Sequence, residues 1–191
     1  EEAYSVAMLL LEARAAVGQS GPIQVFATDV DEKALETARA GVYPATITGD
    51  VSAHRLKTFF VRQGESYKVD KPLRGIVAFS RQNLLSDPPF SKLDLVSCRN
   101  VLIYIEPTAQ KKVISVFGFA LNVGGYLLLG KSEGAAEMDD VFAPVSKQNR
   151  LYRLTRSSRP VGAGFPIFPA GRPESAVARE SKDDASREMV V

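Results

Sequence analysis

The sequence predicts an α/β fold with a doubly wound, mostly parallel sheet. Short apolar runs alternate with helical patterns between Glu1 and Leu154. Several of these helical patterns are about ten residues or longer, which is enough for the right-handed crossovers that join parallel strands. The 191 residues are 45% hydrophobic and 24% charged, which is the composition of an ordinary globular domain.

The first elements follow from local spacing and from capping residues. Apolar residues at helical spacing predict a helix over Glu1–Val17, which glycines end. Ile23–Thr28 is a short apolar run and a predicted strand. A second helix is expected over Asp31–Ala40, with Asp31 as its N-cap and Gly41 as its stop.

The segment Val42–Arg74 interrupts the alternation of strands and helices. A helix is predicted over Ser52–Val61, and short strands are predicted around Tyr67–Val69. We therefore expect a small α/β insertion over residues 42–74.

The alternation resumes after the insertion and ends near Leu154. The expected elements are strands over Ile76–Ser80, Leu93–Cys98 and Gly125–Leu129, a long helix over Thr108–Leu121, and an edge strand over Leu151–Leu154. Glycines between Leu121 and Gly125 indicate a turn from helix to strand.

Glycines and prolines break all periodicity from Thr155 onward. We expect a folded domain over residues 1–154 and a disordered linker or tail over 155–191. The alternative for part of the tail is a segment around Phe165–Phe168 that folds on binding a partner.

Composition excludes several classes of function. The net charge of +2 predicts no nucleic-acid binding, and the longest apolar runs fall far short of the roughly 20 residues that span a bilayer, so no membrane insertion is expected. Cys98 is the one cysteine and His54 the one histidine, so a disulfide framework and the common zinc sites are excluded, and no metal is expected. This composition fits a reducing compartment, and we expect a cytoplasmic location.

Polar residues follow three predicted strands, where parallel sheets bind ligands. Asp29 and Asp31 follow the first strand, and an ionised carboxylate there can accept hydrogen bonds from both hydroxyls of a ribose. Helix capping is the alternative role. Because Asp31 alone would serve as the cap, Asp29 is the better ribose candidate.

Asn83 and Leu84 follow the strand that ends at Ser80. The amide of Asn83 can donate to and accept from the edge of an adenine ring while Leu84 covers the face of the ring. The alternative is a turn that leads into a rigid proline segment.

Arg99, Asn100 and Tyr104 follow the most apolar strand. Burying such groups is costly unless each finds partners. A ligand is one such partner, and a capping and salt-bridge role is the other. Cys98, directly before them, is expected in the core, and His54 is expected to face solvent.

Four stretches of the sequence together resemble the CheR-type protein-glutamate O-methyltransferases of chemotaxis receptors. They are EEAYSVAMLLLE, VFATDVDEKALETARAGVYP, NLLSDPPFSKLDLVSCRNVLIY and FALNVGGYLLLGKSE, and the resemblance runs from Glu1 to Leu154. It is greatest to modules within hybrid signalling proteins. The resemblance implies a Rossmann-like methyltransferase fold that binds S-adenosylmethionine and releases S-adenosylhomocysteine.

The resemblance also carries site residues onto this chain. The implied cofactor contacts are Glu1 at the start of the first helix, Asp29 or Asp31 at the ribose, Asn83 and Leu84 near the adenine, and Arg99 and Asn100 near the methionine end. Tyr104 matches the tyrosine of the family's CRN-x-x-x-Y motif, which places it close to the transferring methyl group.

In the family, a strand, a glycine-containing loop and a helical domain precede the first helix. We therefore expect an N-terminally truncated core whose first strand is missing, within a longer multidomain chain. We expect the 191 residues alone to bind the cofactor weakly or not at all and to be inactive.

The resemblance implies a chemoreceptor or another signalling protein as the methyl acceptor. One alternative is a non-catalytic cofactor-sensing or docking module of a hybrid signalling protein. A second alternative is a methyltransferase for a small molecule, which the insertion makes less favoured because a protein-docking element would then be idle.

Overall fold

A computed structural model describes residues 1–131, 133 and 140–156 of the chain. The helices are α1 (Glu2–Ala16), α2 (Glu32–Ala40), α3 (Ala53–Phe59), α4 (Lys71–Gly75) and α5 (Pro107–Ala120). The strands are β1 (Val25–Asp29), β2 (Val42–Pro44), β3 (Phe60–Gln63), β4 (Ser66–Val69), β5 (Val77–Arg81), β6 (Leu93–Cys98), β7 (Leu121–Leu129), β8 (Phe142–Ser146) and β9 (Leu151–Leu154). Short 3-10 helices span Ala45–Gly49 and Leu102–Tyr104.

The strands form two parallel pairs, as an α/β fold requires. β1 pairs with β5, and β6 pairs with β7. The second pair continues through β9 to β8 with antiparallel pairing, so this sheet is mixed. Among the described strands, β1 pairs only with β5 and β6 only with β7, so the two sheets are not hydrogen bonded to each other through their strands.

Residues between α2 and β5 form an antiparallel sheet in the order β2, β4, β3, with α3 before β3. This predicted insertion shares a core with the rest of the chain, because Leu56 and Phe59 of α3 lie in one buried cluster with Tyr4 and Met8 of α1. A second cluster surrounds β6, β7 and α5. The boundaries of the tail stay predictions, because residues 157–191, including Phe165–Phe168, lie outside the described part of the chain.

Local signals placed the second helix correctly. The carboxylate of Asp31 accepts a hydrogen bond from the backbone N–H of Lys33, so Asp31 is the N-cap of α2. Gly41 ends the helix at φ 61°, a left-handed conformation that glycine adopts without steric cost. A Cβ at Gly41 would also lie 3.2 Å from the hydroxyl of Tyr4.

Three predictions for individual elements are wrong. Leu151–Leu154 is a strand but not an edge, because it lies between β7 and β8. The helix predicted to Val61 ends at Phe59, since Phe60 begins β3 and pairs with Val69. The residues expected to form a turn before Gly125 are the first residues of β7, which pairs with β6 from Leu121.

Candidate functional site

The parallel register of β1 and β5 brings the first two predicted clusters together. Asp29, the last residue of β1, is the register partner of Arg81, the last residue of β5. The backbone N–H of Gln82 donates to the carbonyl of Asp29 at 3.0 Å. The turn that begins at Asn83 therefore leaves β5 beside the carboxyl end of β1.

Asp29 and Asp31 have different roles in this turn. Asp29 Oδ1 accepts from the backbone N–H of Asp31 at 3.0 Å, and Asp31 Oδ1 accepts from that of Lys33 at 2.9 Å. Each carboxylate thus has one oxygen bound to a backbone N–H, and in Asp31 that bond caps α2. The Oδ2 atoms of Asp29 and Asp31 have no hydrogen-bond partner among the described residues, so both are available to a ligand hydroxyl.

Asn83 begins a tight polar turn. Its backbone N–H donates to Asp87 Oδ2 at 2.8 Å, and its side-chain oxygen accepts from the N–H of Leu85 at 3.0 Å. The N–H of Asn83, together with the hydroxyl of Ser86, lowers the pKa of the Asp87 carboxyl. Leu84 packs against the core beside β6. The Nδ2 donor of Asn83 has no partner among the described residues.

The carboxyl end of β6 is bonded to the first turn of α1. Ser97 Oγ donates to Glu2 Oε1 at 2.6 Å, and Arg99 Nη1 lies 3.4 Å from Glu2 Oε2. The side chains of Arg99 and Glu2 are each 43% exposed. The salt-bridge role considered for Arg99 is therefore present, with Glu2 as its partner.

Asn100 and Tyr104 present unused polar groups beyond β6. Asn100 has a φ of 58°, in the left-handed region, and its side chain bonds to no described residue. Tyr104 ends a 3-10 helix with its side chain 83% exposed. Glu1 precedes α1, and its side chain makes no capping hydrogen bond.

The predicted residues form two groups. Asp29, Asn83 and Leu84 lie at the ends of β1 and β5, and Arg99 and Asn100 lie at the end of β6. No hydrogen bond or ion pair among the described residues joins the polar groups of one set to those of the other. Packing of Leu84 against the cluster that contains Cys98 and Leu102 brings the two groups near each other.

Glu133 is a residue at this site that sequence reasoning missed. It is 3% exposed, and its carboxylate accepts from the backbone N–H groups of Val101, Leu102 and Gly130. The residue ends the GKSE stretch that follows β7, where a carboxylate in a glycine-containing loop has no periodic pattern to identify it. Glu2 was missed for a similar reason, since it resembles any acidic residue in a first helical turn.

Cys98 and His54 lie where the sequence predicted, in the core and at the surface. Cys98 is buried in the core, and burial raises the pKa of its thiol to about 12, with smaller effects from the carboxylates of Glu133 and Glu2. A thiol with this pKa is not a nucleophile near neutral pH. His54 is exposed on α3. Within the described part of the chain, no three His, Cys, Asp or Glu residues are grouped to hold a metal ion.

None of the helices in the described ranges is both long and apolar enough to cross a membrane.

Comparison with known families gives a match over most of the chain. Residues 1–151 match the model of the CheR methyltransferase SAM-binding domain. A chemotaxis protein methyltransferase of Vibrio parahaemolyticus is 40% identical over 149 residues, which cover 76% of this chain and 54% of that protein.

A second relative belongs to a much larger protein. The uncharacterized 104.1 kDa protein in the hypE 3' region of Rhodobacter capsulatus is 41% identical over 156 residues, or 82% of this chain and 16% of that protein. This chain therefore spans about half the length of the Vibrio relative and about a sixth of the length of the Rhodobacter relative. A solved structure of a possible exported protein from Bordetella parapertussis covers 56% of this chain and 27% of its own, at 19% identity and a TM-score of 0.36, which establishes no relationship.

Proposed function

This chain belongs to the CheR methyltransferase family, and from that premise we propose that it is the core of an enzyme that methylates glutamate side chains of chemoreceptor-type signalling proteins. The family's domain binds S-adenosylmethionine, which supplies an electrophilic methyl group on a positively charged sulfur. One observation from the structure supports the proposal above others. Polar groups that no described residue engages stand at the carboxyl ends of three parallel strands, β1, β5 and β6.

The chemistry of these groups fits the cofactor. Asp29 Oδ2 can accept from a ribose hydroxyl, and the amide of Asn83 can donate to the edge of an adenine while Leu84 covers the ring. Asn100 can bind the polar methionine end. To bind that end, the guanidinium of Arg99 would have to contact the cofactor and Glu2, which lies 3.4 Å away, at the same time. We assign the ribose to Asp29, because it is the last residue of β1, whereas Asp31 already serves as the N-cap of α2.

Glu1 belongs to the same proposed contact set. It stands directly before α1, next to Glu2, which is bonded to the end of β6. Its carboxylate is exposed and makes no capping bond, so it can accept from a cofactor hydroxyl or ammonium group.

The proposed reaction needs no general base. A glutamate carboxylate has an ordinary pKa of about 4.3, so it is ionised near neutral pH and attacks through an oxygen lone pair. An O–CH₃ bond forms as the C–S bond breaks, and the electron pair of that bond stays on sulfur in S-adenosylhomocysteine. The exposed position of His54 on α3 agrees with a reaction without imidazole catalysis.

Alignment is then the main task of the protein. The acceptor oxygen must approach within about 3 to 3.5 Å of the methyl carbon, in line with the departing sulfur. Charge is neutralised during transfer, so an apolar site favours the transition state over the separated ions. Tyr104 lies beside the exposed apolar residues Val101 and Ile103, which gives it the surroundings for orienting an acceptor.

The relatives support a proposal for the acceptor and for the wider chain. The name of the Vibrio relative supports a chemoreceptor or another chemotaxis signalling protein as the acceptor. The 104.1 kDa relative supports a longer, multidomain chain around this core. We propose that such a chain acts in the cytoplasm, where the methylated segments of chemoreceptors would be accessible.

Transfer of a labelled methyl group tests the proposal. Full-length protein is incubated with methyl-labelled S-adenosylmethionine and purified chemoreceptor cytoplasmic domains, and base-labile label on receptor glutamates is expected. Receptor domains with glutamine at those positions are the matched control and should remain unlabelled. Cofactor binding without labelling of any acceptor would instead favour a non-catalytic cofactor-sensing module.

A further inference from the structure

We propose that Glu133 is a positioning residue of the methyl-transfer site and that it fixes the backbone that carries Asn100 and Tyr104. The inference rests on the proposed function. Glu133 is 3% exposed and is the one buried charged side chain in the described ranges. A buried carboxylate is costly unless its oxygens are hydrogen bonded, and here both are.

The three hydrogen bonds tie two neighbouring strand ends together. Glu133 Oε1 accepts from the N–H groups of Val101 and Leu102, each at 2.8 Å. Oε2 accepts from the N–H of Gly130 at 2.6 Å. Gly130 follows β7, and residues 101–102 follow β6, the parallel neighbour of β7. Bonds to an ionised acceptor are stronger than those between neutral groups.

Gly130 permits this close contact. A Cβ at this position would lie 2.7 Å from Glu133 Oε2 and 3.2 Å from the backbone nitrogen of Asn100. Any side chain here would push the carboxylate or the turn away. The absence of a side chain at Gly130 therefore leaves room for the carboxylate of Glu133.

The same backbone segment holds both proposed site residues. Asn100 directly precedes Val101 and has a φ of 58°, a conformation that costs about 1 kcal/mol or more for a residue other than glycine. The carbonyl of Val101 accepts from the N–H of Tyr104 at 3.1 Å, and that of Leu102 accepts from Ile105 at 3.0 Å. The two residues whose N–H groups bind Glu133 thus use their carbonyls to form the turn that bears Tyr104.

Tyr104 depends on this backbone for its position. Its side chain is 83% exposed, and its hydroxyl bonds to no described residue. Gln110 supports the turn from the other side, donating to the carbonyls of Leu102 at 3.0 Å and Ile105 at 2.8 Å. A shift of the turn would therefore carry Tyr104 with it, and misplacement by about 1 Å can cost up to about a hundredfold in rate.

Glu133→Gln in the full-length protein tests the inference. The amide retains one acceptor oxygen, so it cannot accept from both Gly130 and the Val101–Leu102 pair. We expect turnover to fall about tenfold and cofactor affinity severalfold, compared at equal folded fraction with Val69→Ala, a buried control in the other core cluster. Glu133→Asp, which keeps the charge but shortens the reach, provides a second variant if the glutamine variant does not fold.

A double-mutant cycle separates positioning from general stability. If Glu133 acts through Tyr104, the turnover losses of Glu133→Gln and Tyr104→Phe will not add in the double variant. Additive losses of turnover in the double variant would overturn the inference. So would a loss of turnover in Glu133→Gln no larger than that in Val69→Ala, and either result would leave the proposed methyl transfer intact.

Hydrogen exchange supplies a readout that needs no methyl acceptor. The amides of Val101, Leu102 and Gly130 should exchange faster in Glu133→Gln, while those of β9 stay protected. If the wild-type protein methylates no acceptor, the proposed function fails. The positioning role of Glu133 is then tested by comparing the cofactor affinities of the wild type and Glu133→Gln. Unchanged exchange and unchanged affinity in the variant would overturn its positioning role.

Discussion

The carboxylate of Glu2 lies 3.4 Å from the guanidinium of Arg99, which joins the first turn of α1 to the end of β6. The other oxygen of Glu2 accepts from Ser97 Oγ at 2.6 Å. These contacts link α1, which packs against β1 and β5, to the end of β6, and no strand pairing connects the two parallel pairs among the described residues. Glu2 therefore sets the position from which Arg99 would reach the methionine end of the cofactor.

Glu2→Ala should weaken cofactor binding in the full-length protein by up to about fivefold, because Arg99 loses the carboxylate that orients it. The effect should be no larger, since an exposed ion pair contributes at most about 1 kcal/mol. Isothermal titration calorimetry measures the change. Glu36→Ala, which removes an exposed carboxylate on α2, is the matched control and should leave affinity unchanged. Equal affinities for all three proteins would show that Glu2 has no part in binding.

Asp29→Asn and Asp31→Ala should affect different quantities. The first should lower cofactor affinity, and the second should lower the stability of the fold. The asparagine keeps an oxygen for the N–H of Asp31 but loses the carboxylate, so cofactor affinity should fall about tenfold with little change in stability. Loss of the N-cap at Asp31 should cost about 1 kcal/mol of unfolding free energy and leave affinity nearly unchanged. Calorimetry and urea denaturation measure the two quantities. The reverse pattern would assign the ribose to Asp31.

Tyr104→Phe should lower turnover about tenfold and change cofactor affinity by less than about twofold, because the hydroxyl orients the reacting groups and its side chain is otherwise exposed. Initial rates of methyl transfer at saturating cofactor and the dissociation constant from calorimetry give the comparison. Tyr126→Phe, on the surface of β7, is the matched control. Turnover equal to that of the wild type would remove the proposed role of Tyr104.

Cys98 should resist alkylation while the protein is folded. Burial raises the pKa of its thiol from 9.0 to about 12, so the folded protein holds a neutral thiol at pH 8. Mass spectrometry after iodoacetamide treatment should show labelling in urea and almost none in buffer. Rapid labelling of the folded protein would contradict the buried position.

The same thiol should make stability depend on pH in the alkaline range. The pKa of this thiol is higher in the folded state than in the unfolded state. Its contribution to the free energy of unfolding is therefore complete below pH 9 and is lost as pH rises from 9.0 towards about 12. Urea denaturation of the wild type and of Cys98→Ala measures this contribution. The difference in unfolding free energy between the two should narrow above pH 9, and a constant difference would contradict the shift.

The 191-residue chain by itself should bind S-adenosylmethionine weakly or not at all. Among the described strands, none pairs with the free edges of β1 and β6, so no strand hydrogen bonds hold the two groups of proposed contact residues together. Open strand edges also favour self-association. Calorimetry on the isolated chain provides the measurement, and micromolar affinity would prove the expectation wrong.

Much of the secondary structure was predictable because its signals are local. The bounds of β6 match the prediction, since the mainly apolar run LDLVSC ends at the polar pair Arg99 and Asn100. The ends of α2 follow from a capping aspartate and a glycine. β8 was not predicted: its sequence FAPVS contains a proline, and it is a strand because it pairs with β9.

The candidate site divides in the same way. The positions of Asp29, Asn83, Arg99 and Asn100 were predictable because these polar residues lie at the ends of mainly apolar strands, where parallel sheets bind ligands; their part in binding stays a proposal. Their partners were not predictable. Glu2 bonds to Ser97 across 95 positions, and Glu133 bonds to Leu102 across 31, and no local pattern reports such distant contacts.

The sequence by itself therefore determined the α/β class, most helices and strands, and the residues at the strand ends, because propensity, periodicity and capping act over a few neighbouring residues. Only the tertiary structure decided which groups are engaged and which stay available to a ligand. It assigns Asp31 to helix capping, gives Arg99 the partner Glu2 and buries Glu133 beneath the Asn100 turn. Hydrogen-bond partners are determined by distance in space, and the positions of α1 and of Gly130 and Glu133 beside the end of β6 set those distances.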